Sequence, residues 1–306
     1  MNSERITGRE LWDWRRWATK IGADSDVSHR EVDWLLQSVA NLDRLTLRLQ
    51  SIDDRSSIEI SMSLEQLSAL WLDRVEQRKP VQYLVGKTFW RDFELVVSPD
   101  VLIPRPETES IIDIALTVSN RIQQQGIWVD LGTGSGAMAI GLAKMLPDAE
   151  IHAVDFSTAV LKIARINAAR LDLLDRIHFS QGSWWSSLGH LKGKVAGMLS
   201  NPPYIPSQEV LRLQPEVVKH EPHLALDGGM DGLDAIRLLV DTAPEYLQPG
   251  GIWLIEMMAG QGTTVVELLN RQGSYTDITI IDDLAGLDRF VLAKLRDEVL
   301  NIIPSC

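Results

Sequence analysis

Hydrophobic positions in the first eighty residues recur at three- and four-residue intervals. Val32, Leu35, Leu36 and Val39 form one such run, and Leu64, Leu67, Trp71 and Val75 another. That spacing predicts amphipathic helices. Ser28-His29-Arg30-Glu31 and Ser63-Leu64-Glu65-Gln66 have the form of capping boxes at their starts. Trp12, Trp14 and Trp17 fall in an earlier helical stretch and read as core packing. Residues 1–79 thus read as entirely helical, and 1–80 as a small bundle suited to recognising a partner. Pro80 closes the last helix.

Residues 83–104 then switch to β-branched and aromatic side chains, with Gly86 and Arg91-Asp92 as turn chemistry. A β-hairpin linker over 81–105 is expected. The prolines of Pro104-Arg105-Pro106 hold the chain extended. Thr108 is placed to cap a helix from about 109 to 124. From Gly126 the pattern alternates: short apolar runs at 127–131, 151–154, 177–180, 195–199 and 252–256, separated by helical stretches. This rhythm predicts an α/β domain over 106–306, a mostly parallel sheet with helices on both faces. The last pair of strands, near 278–281 and 289–293, suggests an antiparallel strand at one edge.

Composition narrows the class. The chain has 306 residues, 45% hydrophobic and 24% charged, and reads as globular rather than disordered. No apolar run approaches a membrane span, and the charged start MNSERITGRE is not expected to be a signal peptide. The one cysteine, Cys306, provides no disulfide framework and fits a reducing cytoplasm. The net charge is −12; residues 1–80 hold 12 basic and 14 acidic residues, so most of the excess lies in the α/β part. Such a surface is a poor match to a phosphate backbone and better suits a small ligand or a basic protein.

Two stretches carry chemistry. Asp130 and the turn Gly132-Thr133-Gly134-Ser135-Gly136 follow the first strand, and Asp155 ends the next. A glycine-rich strand-to-helix turn allows close backbone approach to a ligand, and an acid at the second strand end can bind both ribose hydroxyls. A nucleoside-containing cofactor follows. Gly136 arrives one position early for a dinucleotide fingerprint, and Asp130 offers an acceptor better suited to a cationic group than to a pyrophosphate. The second stretch is Asn201-Pro202-Pro203-Tyr204, at the carboxyl end of an apolar strand. Its amide, carbonyls and aromatic ring could cradle a planar group bearing an NH2.

The glycine turn resembles the first motif of class I S-adenosylmethionine-dependent methyltransferases, whose Rossmann-like fold it implies. Gly182-Ser183-Trp184 sits where that superfamily lays residues against the adenine, and Trp184 could stack there. Asn-Pro-Pro-Tyr resembles the motif of methyltransferases that modify NH2 groups conjugated to a π-system. With Arg78 to Tyr83, Val101 to Glu109, Glu221-Pro222, Gly228-Gly229 and Asp283 to Gly286, the chain resembles the HemK/PrmC family of release-factor glutamine-N5 methyltransferases.

The resemblance implies S-adenosylmethionine as methyl donor and S-adenosylhomocysteine as product. It implies as acceptor the Gly-Gly-Gln glutamine of peptide-chain release factors. It assigns Asp130, Gly132, Thr133, Gly134, Ser135, Gly136, Asp155, Trp184 and Asn201 to the cofactor. Asn201, Pro202, Pro203 and Tyr204 fall to the substrate, with Asn201, Pro202 and Tyr204 serving the chemistry. A monomer in the cytoplasm, without nucleic acid or membrane, is expected. A ribosomal-protein glutamine and, further off, a nucleic-acid adenine are the alternative acceptors. Ser183 and Met258 depart from the family pattern, which often has aspartate and glycine there. The long segment 205–232 reads as a cover over the crevice. Its His220-Glu221-Pro222-His223 lacks metal-ligand spacing, and no metal is expected.

Overall fold

In a computed structural model, residues 3–40, 42–49 and 55–297 are described. Cys306 lies outside them. The chain forms two compact units, Met1–Lys87 with Gln214–His220, and Thr88–Leu213 with Glu221–Cys306.

The first unit is not entirely helical. Strands β1 (Glu4–Ile6) and β2 (Ile58–Ile60) pair antiparallel beside helices α1 (Gly8–Asp24), α2 (His29–Ala40), α3 (Arg44–Arg48), α4 (Leu64–Gln77) and α5 (Val81–Val85). Ile58 and Ile60 turn inward around exposed Glu59, a two-residue period too short to stand out in sequence. The Ser63 capping box forms, with Gln66 reciprocating. At Ser28 it does not: the hydroxyl accepts from Arg30 N at 3.3 Å, while Glu31 turns to a two-pronged ion pair with buried Arg74. A box not foreseen, Thr7 with Glu10, opens α1. Of the three early tryptophans only Trp14 is buried, its indole nitrogen donating to Ser68; Trp12 is partly buried against the same core, and Trp17 is exposed, so core packing does not account for it. Trp71 is buried too, donating to the Ala18 carbonyl.

The expected hairpin is shorter than drawn, because α5 takes residues 81–85. Strands β3 (Lys87–Trp90) and β4 (Phe93–Val96) turn at Arg91, which has positive φ. The expected helix from 109 is also broken. A 3₁₀ turn at Glu107–Glu109 leads into α6 (Ser110–Val118), which ends well short of residue 124.

The second unit then alternates as expected. β5 (Ile127–Leu131), α7 (Ala137–Met145), β6 (Glu150–Asp155), α8 (Thr158–Arg170), β7 (Ile177–Gln181) and β8 (Val195–Ser200) come first. Short helix α9 (Ser207–Val210) interrupts the next connection, as does α10 (Pro215–His220), which belongs to the first unit. α11 (Asp234–Thr242), β9 (Leu247–Glu256), α12 (Gly262–Gln272), β10 (Tyr275–Asp282) and β11 (Asp288–Leu295) complete the chain. The sheet order is β10-β11-β9-β8-β5-β6-β7. The reversed strand is not at the edge: β11 lies between β9 and β10, antiparallel to both. α12 carries the chain past one vacant position to β10, and the hairpin brings β11 back to fill it. Apolar clusters cover both faces, one holding Trp128, Leu199 and Leu254 and the other Val129, Met198 and Trp253. At the sheet centre Trp128 lies beside Gly197. A Cβ on that glycine would come within 2.5 Å of the indole, so the strand supplies no side chain there.

Among the described residues no helix is long and apolar enough to cross a membrane.

Candidate active site

The carboxyl ends of β5, β6 and β8 meet at a cavity of about 590 Å³. Gly132, Thr133, Gly134 and Ser135 line one wall, Asp155 and Trp184 a second, Asn201 and Pro203 a third. Open α/β sheets place ligands at this end because the strand-to-helix turns present free backbone N–H groups there.

The turn is shaped by its glycines. Gly132 and Thr133 donate to the Val154 carbonyl, each at 2.9 Å. Gly136 has φ +85°, and a Cβ there would press on Ala164 at 3.2 Å, so glycine lets α7 start against α8. At Gly134, φ +55°, nothing lies within 4 Å of a Cβ position, and the space belongs to the cavity. Asp155 accepts from Gly134 N at 3.0 Å and Ser157 N at 3.1 Å. Burial raises its pKa. Trp184 sits with positive φ, its indole 3.7 Å from the Gly132 Cβ position. Trp185 does otherwise: it is buried and stacks on Tyr246 at 4.4 Å.

Asp130 departs from expectation. It does not line the cavity. Its fully buried Oδ2 accepts from the Thr133 hydroxyl at 2.6 Å and Ala139 N at 3.0 Å, bracing the glycine turn from beneath. A strand's alternation turns successive side chains to opposite faces, and this one faces into the protein. Desolvation pushes its pKa up to about 7, and Oδ1 has no partner. An unpartnered buried carboxylate oxygen under a glycine turn, an acid at the next strand end and an indole across the gap together fit a nucleoside carrying a cationic tail.

Asn201-Pro202-Pro203-Tyr204 is divided. Asn201 and Pro203 line the cavity; Pro202 is buried, and Tyr204 packs on the core with its hydroxyl donating to Glu256 at 3.0 Å. The cover segment backs this stretch closely. A Cβ on Gly232, φ +78°, would lie 2.3 Å from the Tyr204 carbonyl oxygen, which also accepts from Gln261 Nε2 at 3.0 Å. Pro222, Leu224 and Ala225 of the same segment reach the cavity. Arg105 pins it at buried Glu221, donating at 2.7 Å. Met258 does not line the cavity, whereas Ser183 does.

Two residues carry more than the sequence suggested. Thr108 is no helix cap. It is buried, lines the cavity, and its hydroxyl accepts from Asn201 Nδ2 at 3.3 Å. Glu256, fully buried at the end of β9, reads in sequence as a strand terminus. Burial raises its pKa to about 7, against the hydrogen bond from Tyr204 and the charge of Arg289 that pull it down. A carboxylate closing an apolar strand run is the signal that could have marked it.

A family model described as a methyltransferase domain matches residues 122–268, and one described as the PrmC N-terminal domain matches residues 13–86. The chain is 52% identical over 300 residues to a release factor glutamine methyltransferase of Synechocystis sp., covering 96% of this chain and 99% of that one. It is 45% identical over 291 residues to that of Thermosynechococcus vestitus, covering 94% and 99%. Among solved structures, the hMettl16 catalytic domain in complex with MAT2A 3'UTR hairpin 6 superposes with a TM-score of 0.52 at 14% identity, over 76% of this chain and 80% of that one. That likeness is one of fold. The fold class is that of class I S-adenosylmethionine-dependent methyltransferases. With relatives of this identity matched along almost their full length, the chain belongs to the release factor glutamine methyltransferase family.

Proposed function

We infer that this protein methylates the side-chain amide nitrogen of the glutamine in the Gly-Gly-Gln motif of peptide-chain release factors, using S-adenosylmethionine. The observation that carries the reading is one cavity: its walls hold both the glycine turn with Asp155 and the Asn201 side chain, so a cofactor and a planar NH2 group can meet there. S-adenosylmethionine supplies an electrophilic methyl on a sulfonium and is left as S-adenosylhomocysteine.

The chain's own part is binding and alignment. Gly132 to Gly136 would offer backbone to the cofactor, Asp155 would accept from its ribose and Trp184 would face its adenine, while Asp130 steadies the turn from beneath. An amide nitrogen is a poor nucleophile because its lone pair is delocalised into the carbonyl. The Asn201 carboxamide oxygen and the Pro202 carbonyl would accept its two N–H bonds and return electron density to nitrogen as it attacks; as the N–CH3 bond forms and the methyl–sulfur bond breaks, one of those protons leaves to water. Pro203 and Tyr204 hold that cradle in place. Holding that nitrogen in place against the cofactor would supply most of the remaining acceleration.

Residues 1–80 serve to recognise the protein partner, 81–105 link, and 106–306 perform the transfer. The acidic charge of the catalytic part supports a partner that is protein rather than nucleic acid. We propose that the enzyme works as a monomer in the cytoplasm, away from membranes. The test is transfer of labelled methyl to a purified release factor, beside its Gln→Ala Gly-Gly-Gln version and a DNA duplex. Label on the native factor alone is expected; label on DNA, or equal label on the Gln→Ala factor, refutes the assignment.

A further inference from the structure

Strand β6 opens with Glu150 and His152 on one face, two residues apart, and β7 sets His178 directly beside His152 in the register. The three side chains converge. His152 Nε2 lies 2.8 Å from Glu150 Oε1, and His178 Nε2 lies 3.9 Å from the same oxygen. One ligating atom from each falls within 4.8 Å of the others. The two imidazole rings stand 4.9 Å apart, and His190 follows from the turn Gly189–Leu191, its ring 6.0 Å from that of His152. Lys194 holds that turn by donating to the His190 carbonyl at 3.0 Å. Three of the chain's six histidines thus share one corner of the second unit. A hydrogen bond to a carboxylate needs only one imidazole. A second ring nitrogen aimed at the same oxygen gains nothing from a neutral neighbour, because facing lone pairs repel. A proton can serve one such pair, whereas a divalent cation serves all three atoms. Zinc takes imidazole nitrogen and carboxylate oxygen at about 2.0–2.2 Å in a tetrahedral set, which places ligand atoms roughly 3.3–3.6 Å apart. The distances here straddle that spacing. His152 is 5% exposed and fixed by its strand, while Glu150 and His178 are exposed and can rotate to close the set.

We propose that Glu150, His152 and His178 form a binding site for a divalent transition metal of the zinc class, with His190 available for a fourth position. Two imidazoles and one carboxylate suit zinc; magnesium and calcium take oxygen ligands instead. The site is separate from the transfer chemistry. It lies toward the amino end of β6, whereas the glycine turn and Asp155 sit at the carboxyl ends of the strands. β7 is the edge strand of the seven-stranded sheet, so a metal held between β6 and β7 fastens that edge to the sheet. No linear spacing reveals the ligands. They come from two strands and a turn spread over residues 150–190, which is why no metal is expected from the sequence. The site stands whichever acceptor the enzyme methylates.

The experiment uses the full-length protein, untagged and stripped with a chelator, and has two arms. In the first, Zn2+ is titrated in by calorimetry. One equivalent should bind with Kd of about 1 μM or tighter. Glu150→Ala and His178→Ala change exposed side chains, so both should fold, and each should weaken binding about a hundredfold. His223→Ala, in the cover segment, should leave it within about twofold. Mg2+ at a thousandfold excess should not displace the zinc. Absence of saturable binding up to about 100 μM, wild-type affinity in both ligand variants, or a loss in His223→Ala in place of theirs overturns the proposal. In the second arm, melting temperature is recorded with chelator and with free Zn2+ at about a hundred times Kd. A ligand that binds only the folded state should raise the wild-type value by roughly 5–10 °C. The same Zn2+ should move His178→Ala by less than about 2 °C. An equal rise in His178→Ala, or no rise in wild type, overturns the site as a clip on the sheet edge.

Discussion

Replacing Asp130 with asparagine should change how stability responds to pH, and by an amount that follows from the structure. The carboxyl is wholly buried, and desolvation lifts its pKa from 3.8 to about 7. Between those values the folded state holds a proton that the unfolded chain releases. Stability supplied by this group is therefore complete at low pH and is lost as pH rises towards 7. At about 1.4 kcal/mol per unit, the interval from pH 5 to pH 7 removes about 3 kcal/mol. The amide introduced by Asp130→Asn cannot titrate. Its side-chain oxygen can still accept from Thr133 and Ala139, and its buried NH2, set where Oδ1 now lacks a partner, adds a penalty that does not depend on pH. Comparing the two proteins without cofactor at pH 5, 6, 7 and 8 cancels the titrating groups that do not feel the Asp130 charge; Asp155 is the one that does. The difference in melting temperature should move in favour of the variant by roughly 6–12 °C across that range, taking about 2–4 °C per kcal/mol for a domain of this size. A difference that stays constant with pH would refute the reasoning.

Four further outcomes are expected. Asn201→Ala should lower kcat by about 10²–10³-fold while cofactor affinity, measured by calorimetry, changes little. Asp155→Asn should weaken cofactor binding about tenfold or more by the same measurement, since a charged acceptor for two hydroxyls is lost. Gly232→Ala should cost about 2 kcal/mol or more in chemical unfolding and reduce turnover, because its Cβ would meet the Tyr204 carbonyl at 2.3 Å in a backbone region that disfavours alanine. Thr7→Ala removes the capping box of α1 and should cost about 1 kcal/mol with kcat on an isolated peptide unchanged.

Much of the second unit is legible because its strands are short, wholly apolar runs and its turns are marked by glycine or proline. The glycine turn, Asp155, Trp184 and Asn201 do gather at one cavity. What the pattern could not convey were choices made by distant partners. Glu31 has the right spacing to complete a capping box, yet the pull of buried Arg74 takes it elsewhere. Thr108 has the right type for a helix cap, yet its hydroxyl serves Asn201, 93 positions on. Asp130 precedes the turn it is expected to flank, and only the facing of its strand turns it away from the ligand space. The position of β11 inside the sheet rather than at its edge follows from where α12 delivers the chain, which local periodicity does not encode. The pair β1 and β2, three residues each, is too brief to show a period at all.

The contact between Trp128 and Gly197 also bears on how the lineage can drift. The indole occupies the volume that any side chain at 197 would need, with a Cβ only 2.5 Å from its ring. A substitution at either position alone is penalised: a side chain at 197 collides, and a smaller residue at 128 leaves a hole at the middle of the sheet. The two sites should therefore be inherited as a couple. Relatives that have lost the tryptophan are the ones in which residue 197 is free to have grown, and a double replacement such as Trp128→Leu with Gly197→Ala should be tolerated better than the sum of its parts.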